Sequence, residues 1–230
     1  KDLEDIAPMV SVTEDEYMAW EPLSGYADSY MVTTSYAKRA RELGAEIVLR
    51  NPANKIEVSG GRVRAVETAE GRVETPVVVV AAGPWSKEVL GKVGVDVPLV
   101  PVRHQVASLT RPVDKLPLHP TVGDIAQSFS FRPDGSSLTM LGFGDDEEVG
   151  VDTYNEGVEM DVRADALERL TRRIPAMSEA YYRGGWFGLF TTTPDWHPSL
   201  DAVPGLEGLY CAIGFSGHGF KLSPIIGVTM

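Results

Sequence analysis

The period of the hydrophobic positions changes several times along the chain, and each change marks an element. Leu3, Ile6, Ala7 and Val10 recur at helical spacing, which predicts a short helix within Lys1 to Val12 that ends near Pro8. Glu16 to Glu21 alternates and predicts a strand, with a turn at Pro22 to Gly25. A longer helix is predicted from a cap at Asp28 or Ser29 to about Leu43, closed by Gly44. Its stripe of Val32, Tyr36, Ala40 and Leu43 predicts packing on a sheet. Ala45 to Leu49 reads as a strand. Lys55 to Ser59, Arg62 to Thr68 and Arg72 to Ala82 are three more, separated by turns at Gly60-Gly61 and Glu70-Gly71. The last ends in the unbroken apolar run Val77 to Ala82, as in a strand covered on both faces.

Beyond Gly83-Pro84-Trp85-Ser86 and a short helix to about Leu90, the character changes at Val97. Leu99 to Leu109, Ile125 to Arg132 and Leu138 to Phe143 read as strands of an antiparallel sheet, with a turn at Pro133-Asp134-Gly135. Ala164 to Ile174 is an amphipathic helix stopped by Pro175, and Tyr182 to Thr193 is a further strand before the rigid loop Pro194 to Pro198. Gly205 to Ile213 then returns to the α/β style. The whole reads as a mixed α/β chain with an α+β part.

The strand Leu209 to Ile213 runs into Gly214-Phe215-Ser216-Gly217-His218-Gly219-Phe220-Lys221, followed by Ser223-Pro224, which reads as a helix cap and first turn. Three glycines in six residues allow positive φ and close approach of a flat ligand. A helix start offers free N–H groups and partial positive charge, so the loop suits an anion or an electron-rich carbonyl. Lys221 adds full positive charge where the helix dipole disfavours it. It is either a solvated lysine on a packing loop or one half of an anion site. Ala81-Ala82-Gly83 is a second turn from an apolar strand to a helix, and the two turns together could line one crevice at the carboxyl ends of parallel strands.

Composition narrows the partners. Acidic residues outnumber basic ones 33 to 21 for a net charge of -12, which argues against nucleic acid or an anionic membrane surface. Cys211 is the single cysteine, so no intrachain disulfide forms. Four scattered histidines and one cysteine do not make a metal site, and Ser216 lacks the Gly-x-Ser-x-Gly context of a hydrolase nucleophile. No apolar run approaches membrane-span length, and no leader pattern follows Lys1; a cytoplasmic setting is the expectation.

Several separated motifs resemble the FAD-dependent D-amino-acid oxidase superfamily, in its branch of sarcosine oxidases, sarcosine dehydrogenases and dimethylglycine dehydrogenases. They are Gly25-Tyr26-Ala27-Asp28, Gly44-Ala45-Glu46-Ile47, Ala81 to Ser86, Pro101-Val102-Arg103-His104-Gln105, Thr193-Pro194-Asp195 and Gly214 to Pro224. The resemblance implies a partial FAD-binding, Rossmann-like domain (residues 25–96 and 196–230) with a β-meander. It implies a substrate domain with a mixed or antiparallel sheet (1–24 and 97–195). It places Gly214 to Phe220 on the pyrimidine side of the flavin, Ala81, Ala82 and Gly83 beside adenosine and pyrophosphate, Ala53 at adenine, and Lys221 on the carboxylate of a small amino-acid substrate.

The chain departs from the family in three places. It has no Gly-x-Gly-x-x-Gly turn for the pyrophosphate, so it is expected to be part of a flavoenzyme whose further segment, or an oligomer partner, completes the site. Gly188 stands where some sarcosine oxidases carry a flavin-linked cysteine, so FAD is expected to be noncovalent. No lysine occurs in Leu138 to Gly142, where oxidases of the branch carry an oxygen-activating one; this favours a dehydrogenase. Two functions remain open at this level: oxidation of the C–N bond of an amino or N-methyl amino acid, with D-amino acids, proline or glycerol 3-phosphate as other substrates, or a noncatalytic subunit or flavin-free binding module.

Overall fold

The computed structural model describes residues 3–144 and 147–230. The chain forms two compact units, one of Lys1–Tyr26, Arg103–Glu147 and Thr153–Gly188, the other of Ala27–Val102, Glu148–Asp152 and Leu189–Met230. In chain order the elements are α1 (Leu3–Ile6), α2 (Ser29–Glu42), β1 (Ala53–Ser59), β2 (Arg62–Thr68), β3 (Gly71–Glu74), β4 (Val78–Val80) and α3 (Ser86–Gly91). They continue with β5 (Val100–Thr110), β6 (Val122–Asp124), β7 (Phe129–Asp134), β8 (Leu138–Phe143), β9 (Glu147–Glu148), α4 (Met160–Arg173), β10 (Tyr182–Thr192), β11 (Ser199–Ala202), β12 (Leu209–Ile213) and α5 (Gly219–Thr229).

The first unit is built on a six-stranded sheet in the order β10-β5-β8-β7-β6, with β9 on β5. Because side chains alternate across a strand, Ala107 and Leu109, Phe129 and Phe131, and Leu141 and Phe143 share one face. That face is buried with Ala166 and Leu170 of α4, with Ile174 and Met177 beyond it, and with Ala7 and Val10 near the N-terminus. α4 begins at Met160, a turn earlier than the periodicity predicts, because Val162 joins the buried stripe. The strand expected over Ile125 to Arg132 forms only from Phe129, as β7. The Asp124 carboxylate accepts the Gln127 N–H at 3.0 Å, which makes a turn between β6 and β7.

No strand forms over Glu16 to Glu21. Glu16 instead accepts Thr13 N at 2.8 Å and pairs with Arg173, so the alternation there marks one anchored carboxylate and not a sheet position. These contacts hold the Glu16 carboxyl well down, from an ordinary 4.5 to about 2, with the Arg173 hydrogen bond as the largest cause. A carboxylate with a depressed folded-state pKa stabilises the fold above its unfolded value and loses that contribution as the pH falls through the folded one. Acid unfolding of this unit, followed by circular dichroism, is therefore expected to steepen from pH 4.5 toward 2. Glu16→Gln should remove part of that slope.

The second unit holds the antiparallel meander β1-β2-β3 and a three-stranded sheet in the order β11-β12-β4. The strand expected over Arg72 to Ala82 divides at Pro76, which has no N–H for a ladder. Its first part pairs with β2, and its second pairs in parallel with β12. β4 lies at its sheet's edge and is covered on one face only: Val80 is 4% exposed, but Val77 and Val79 are 52% and 49% exposed. β11 was not foreseen.

α2 is capped as its sequence predicts. Asp28 accepts Met31 N at 2.7 Å, and Gly44 takes φ +94° beyond the C-terminus. The expected packing on a sheet is not seen, for none of its residues is buried and Tyr36 and Leu43 are exposed. Ala45 to Leu49 joins no ladder; strand sequence without a pairing neighbour makes no strand. Among the described residues no helix is long and apolar enough to cross a membrane.

Candidate functional site

β12 is a short apolar strand with Leu209, Cys211, Ala212 and Ile213 buried. It pairs in parallel with β4 in the register Leu209 to Val78, Tyr210 to Val79 and Cys211 to Val80. Parallel neighbours end at the same edge. The turn Ala81-Ala82-Gly83 after β4 and the loop Gly214 to His218 after β12 therefore leave the sheet side by side. Each leads into a helix: the first through a 3-10 turn at Gly83–Trp85 into α3, the second directly into α5. Gly83 and Gly214 both take positive φ, +53° and +70°.

The β12 loop is pinned against the end of β10 and the residue after it. Ser216, itself at φ +48° and buried, donates its N–H to the Thr191 carbonyl at 3.0 Å. Its Oγ receives the Thr193 N–H at 3.3 Å and donates to the Gly214 carbonyl at 3.2 Å. A Cβ on Gly214 would stand 2.3 Å from Thr193 Cγ2, and one on Gly217 would stand 2.9 Å from Phe190 Cε2. The Gly219 position is closed by the Phe215 side chain, 3.1 Å from a built Cβ. His218 N donates to the Phe215 carbonyl at 2.7 Å and completes the turn. These glycines serve close packing of the loop as well as its path.

The helix starts earlier than Ser223-Pro224 predicts. α5 begins at Gly219 with His218 as its cap residue, and Pro224 lies inside it. Proline cannot donate to the Phe220 carbonyl four residues back, and the Ser223 hydroxyl donates to that carbonyl instead, at 2.9 Å. The substitution keeps the acceptor satisfied, so the helix runs through the proline. In consequence Gly219, Phe220 and Lys221 are the first three helical residues, whose N–H groups have no intrahelical acceptor. Lys221 is exposed, and among the described residues its ammonium pairs with no carboxylate.

His218 is exposed too. Partial desolvation first, and then the positive charges of Lys221 and His197, hold its imidazole below the ordinary 6.5. The Thr193-Pro194-Asp195 turn brings His197 there: Asp195 accepts His197 N and the Thr193 hydroxyl, each at 3.1 Å. Those bonds keep the Asp195 carboxyl below its usual range.

Gly214, Phe215, Ser216, Gly217, His218, Gly219, Phe220 and Lys221 thus form one continuous loop and helix start, beside Ala81, Ala82 and Gly83. Ala53 stands at the exposed head of β1, in the separate meander sheet. Sequence reasoning missed Thr191 and Phe190, which support the loop only through the approach of β10. The Thr193-Pro194-Asp195 motif was the one signal pointing to that support.

Comparison with known proteins adds the family. The model for the FAD-dependent oxidoreductase family known as DAO matches residues 1–230. The chain is 28% identical to monomeric sarcosine oxidase of Bacillus sp. (strain NS-129) over 239 residues, covering 100% of this chain and 61% of that protein. It is 28% identical to human mitochondrial sarcosine dehydrogenase, covering 94% of this chain and 24% of the relative. Among solved structures, L-proline dehydrogenase from P. horikoshii superimposes with a TM-score of 0.87 at 26% identity, over 97% of this chain and 60% of that one. The chain spans about three fifths of two of these proteins and a quarter of the third. With a family match across its whole length, the chain belongs to the FAD-dependent oxidoreductases of the DAO family.

Proposed function

We propose that the chain forms part of a flavoenzyme that oxidises the C–N bond of a small amino acid or N-methyl amino acid. The supporting observation is the common edge of β4 and β12, where two positive-φ glycine turns flank a helix start bearing a lysine with no acidic partner among the described residues. These residues fit the pyrimidine side of an isoalloxazine, because free N–H groups and a helix N-terminus match electron-rich oxygen and nitrogen atoms. Bound there without a covalent link, FAD would accept a hydride at its N5 from the carbon carrying the amine.

The chain's own residues have three tasks in this reading. Within Gly214 to Phe220, the N–H groups not already donated to the Thr191 and Phe215 carbonyls stabilise negative charge where it develops, and the pinned loop does so without reorganising. Lys221 holds the substrate carboxylate and so orients the reacting carbon. Ala81, Ala82 and Gly83 give the backbone passage for the adenosine and pyrophosphate side, with Ala53 at adenine. We assign the unit containing β4, β12 and α5 to the flavin and the unit built on the six-stranded sheet to the substrate.

The test joins the chain to a strand–Gly-x-Gly-x-x-Gly–helix segment, loads FAD and follows the visible flavin band anaerobically. Sarcosine, glycine or L-proline is expected to bleach it. In Lys221→Met, kcat/KM should fall about a hundredfold, mostly through KM, as an exchanged carboxylate anchor implies. An intact rate in Lys221→Met would remove the anchor role, and no bleaching with any amine would remove the enzyme reading. Since the sequence carries no Gly-x-Gly-x-x-Gly turn, the 230-residue chain purified alone is expected to retain FAD far below one per chain. A stoichiometric yellow preparation would overturn that expectation.

A further inference from the structure

We propose that His119 is a proton-operated latch: only its neutral imidazole holds the segment before β6 against the central strands of the first unit, and acidification releases that segment. Residues 111–121 cross from β5 to β6 without helix or strand and carry Leu116, 1% exposed, into the core. Arg111 fixes the start of the crossing. Its backbone N–H donates to the Ser137 carbonyl at 2.6 Å, and its guanidinium donates to the Leu116 carbonyl at 2.5 Å and to that of Ser136. His119 fixes the end. It is 3% exposed, and its ring stands edge-on to Phe131 of β7 with centroids 5.4 Å apart.

The two ring nitrogens have different tasks. Nδ1 lies 2.8 Å from the Pro120 carbonyl, which can only accept, so Nδ1 carries the proton. Nε2 lies 2.9 Å from the Thr139 hydroxyl of β8 and, in the neutral ring, accepts that hydroxyl's proton. Thr139 is fully buried, and its hydroxyl makes no other hydrogen bond among the described residues. A second proton on the ring turns Nε2 into a donor; the Thr139 hydroxyl then has to accept, and its own proton is buried without a partner. The same proton places a cation in a buried site. Arg111 is the charged group that acts on the ring, while Phe131 and Thr139, which face it from β7 and β8, carry no charge. Burial, the largest cause, and the Arg111 charge hold the imidazole below the ordinary 6.5, against the Pro120 hydrogen bond, which works the other way.

Once the segment swings out, the ring meets water and takes up its proton at the ordinary value. The docked state therefore keeps its full advantage above pH 6.5 and loses it as the pH falls from there toward the lower docked midpoint. This window lies above the one in which Glu16 titrates, from 4.5 to about 2. The opening is local. It reaches Pro120, Thr121 and Val122, which line a cavity of about 550 Å³ together with Val10, Met18 and Trp20, so acidification is expected to widen that cavity.

Nuclear magnetic resonance of the unaltered 230-residue chain tests the latch. Long-range proton–nitrogen correlation of the histidine rings, with His119 identified by its contact to Phe131, is expected to show Nδ1 protonated and Nε2 bare at pH ~7.5. Its titration midpoint should lie below the ordinary histidine value. The Leu116 amide, which donates to the Pro112 carbonyl at 2.8 Å, reports the docked segment. Its hydrogen-exchange protection factor should fall by up to about tenfold from pH ~7.5 to pH ~5.5, the ratio set by an open-state midpoint of about 6.5, while that of Leu109 in β5 stays constant. His119→Gln keeps a donor and an acceptor but does not titrate, and should flatten the dependence.

A proton on Nε2 at pH ~7.5, or a midpoint at or above about 6.5, overturns the latch. So does a Leu116 protection factor that is equal at the two pH values, or one that still falls in His119→Gln. The first three readings need no variant, so they decide the matter even where the glutamine variant does not fold.

Discussion

Arg173→Ala is expected to lower the stability of the first unit by about 3–5 kcal/mol, the cost of removing one partner from a buried ion network. Arg173 closes α4 and is largely buried. Its Nε donates to Asp124 Oδ2 at 2.5 Å, and one terminal nitrogen donates to the Ser11 carbonyl at 3.1 Å and to Glu16 Oε2 at 2.6 Å. The other terminal nitrogen reaches Glu16 Oε1 and, at 3.2 Å, Asp124 Oδ1. One guanidinium thus ties the end of the helix to β6 and to the segment after α1.

Alanine would leave the Asp124 carboxylate, 4% exposed, with only Gln127 as donor. Urea denaturation followed by fluorescence measures the loss. Arg172→Ala is the control, since its pair with Glu168 is solvent-exposed and should contribute less than about 1 kcal/mol. If the network acts through the stranded charge, pairing Arg173→Met with Asp124→Leu should recover most of the loss. A double variant as unstable as Arg173→Ala would refute that account.

How much of this was legible in the sequence depends on how local each cause is. The caps of α2 lie within the helix's own residues, and Asp28 and Gly44 announced them. The glycine loop before α5 was legible for the same reason, as was its place after an apolar strand. Two neighbouring features were not. Ser223-Pro224 reads as a helix start, yet the Ser223 hydroxyl satisfies the carbonyl that Pro224 leaves open, and the helix begins five residues earlier. Val77 to Val80 reads as a strand buried on both faces, but burial is set by neighbours, and β12 is the strand paired to β4. The supports of the loop at Thr191 and Phe190 are tertiary, and a run of threonines in β10 carries no signal of them. The assignment of Ala53 came from resemblance alone and concerns a different sheet from the two turns.

Gly208→Ala should disrupt the edge that carries both turns, because the residue has no room for a methyl group. Its φ is +85°, and a Cβ there would stand 2.0 Å from the Pro76 carbonyl oxygen, a backbone atom that cannot rotate away. The Gly208 carbonyl also accepts the Val78 N–H at 2.8 Å, the first bond of the β4–β12 pair. Relieving the clash means separating the two strands just where they begin to pair. The cost combines a left-handed conformation for a residue with a side chain, about 1–2 kcal/mol, and the overpacking, about 1–3 kcal/mol more.

Gly205 gives the comparison that separates these terms. It has φ +79° and nothing within 4 Å of a built Cβ, so Gly205→Ala should lose only the dihedral part. Hydrogen exchange offers the local readout: in Gly208→Ala the amides of Val78 to Val80 and Leu209 to Ile213 should lose protection together, while those of the meander keep theirs. Because the β4–β12 pair sets Ala81 to Gly83 beside Gly214 to Lys221 on their common edge, the variant should also weaken anion binding at the head of α5 with every residue there unchanged. Retained protection in β4 and β12 would mean that Pro76 yields, and that the edge is softer than its register implies.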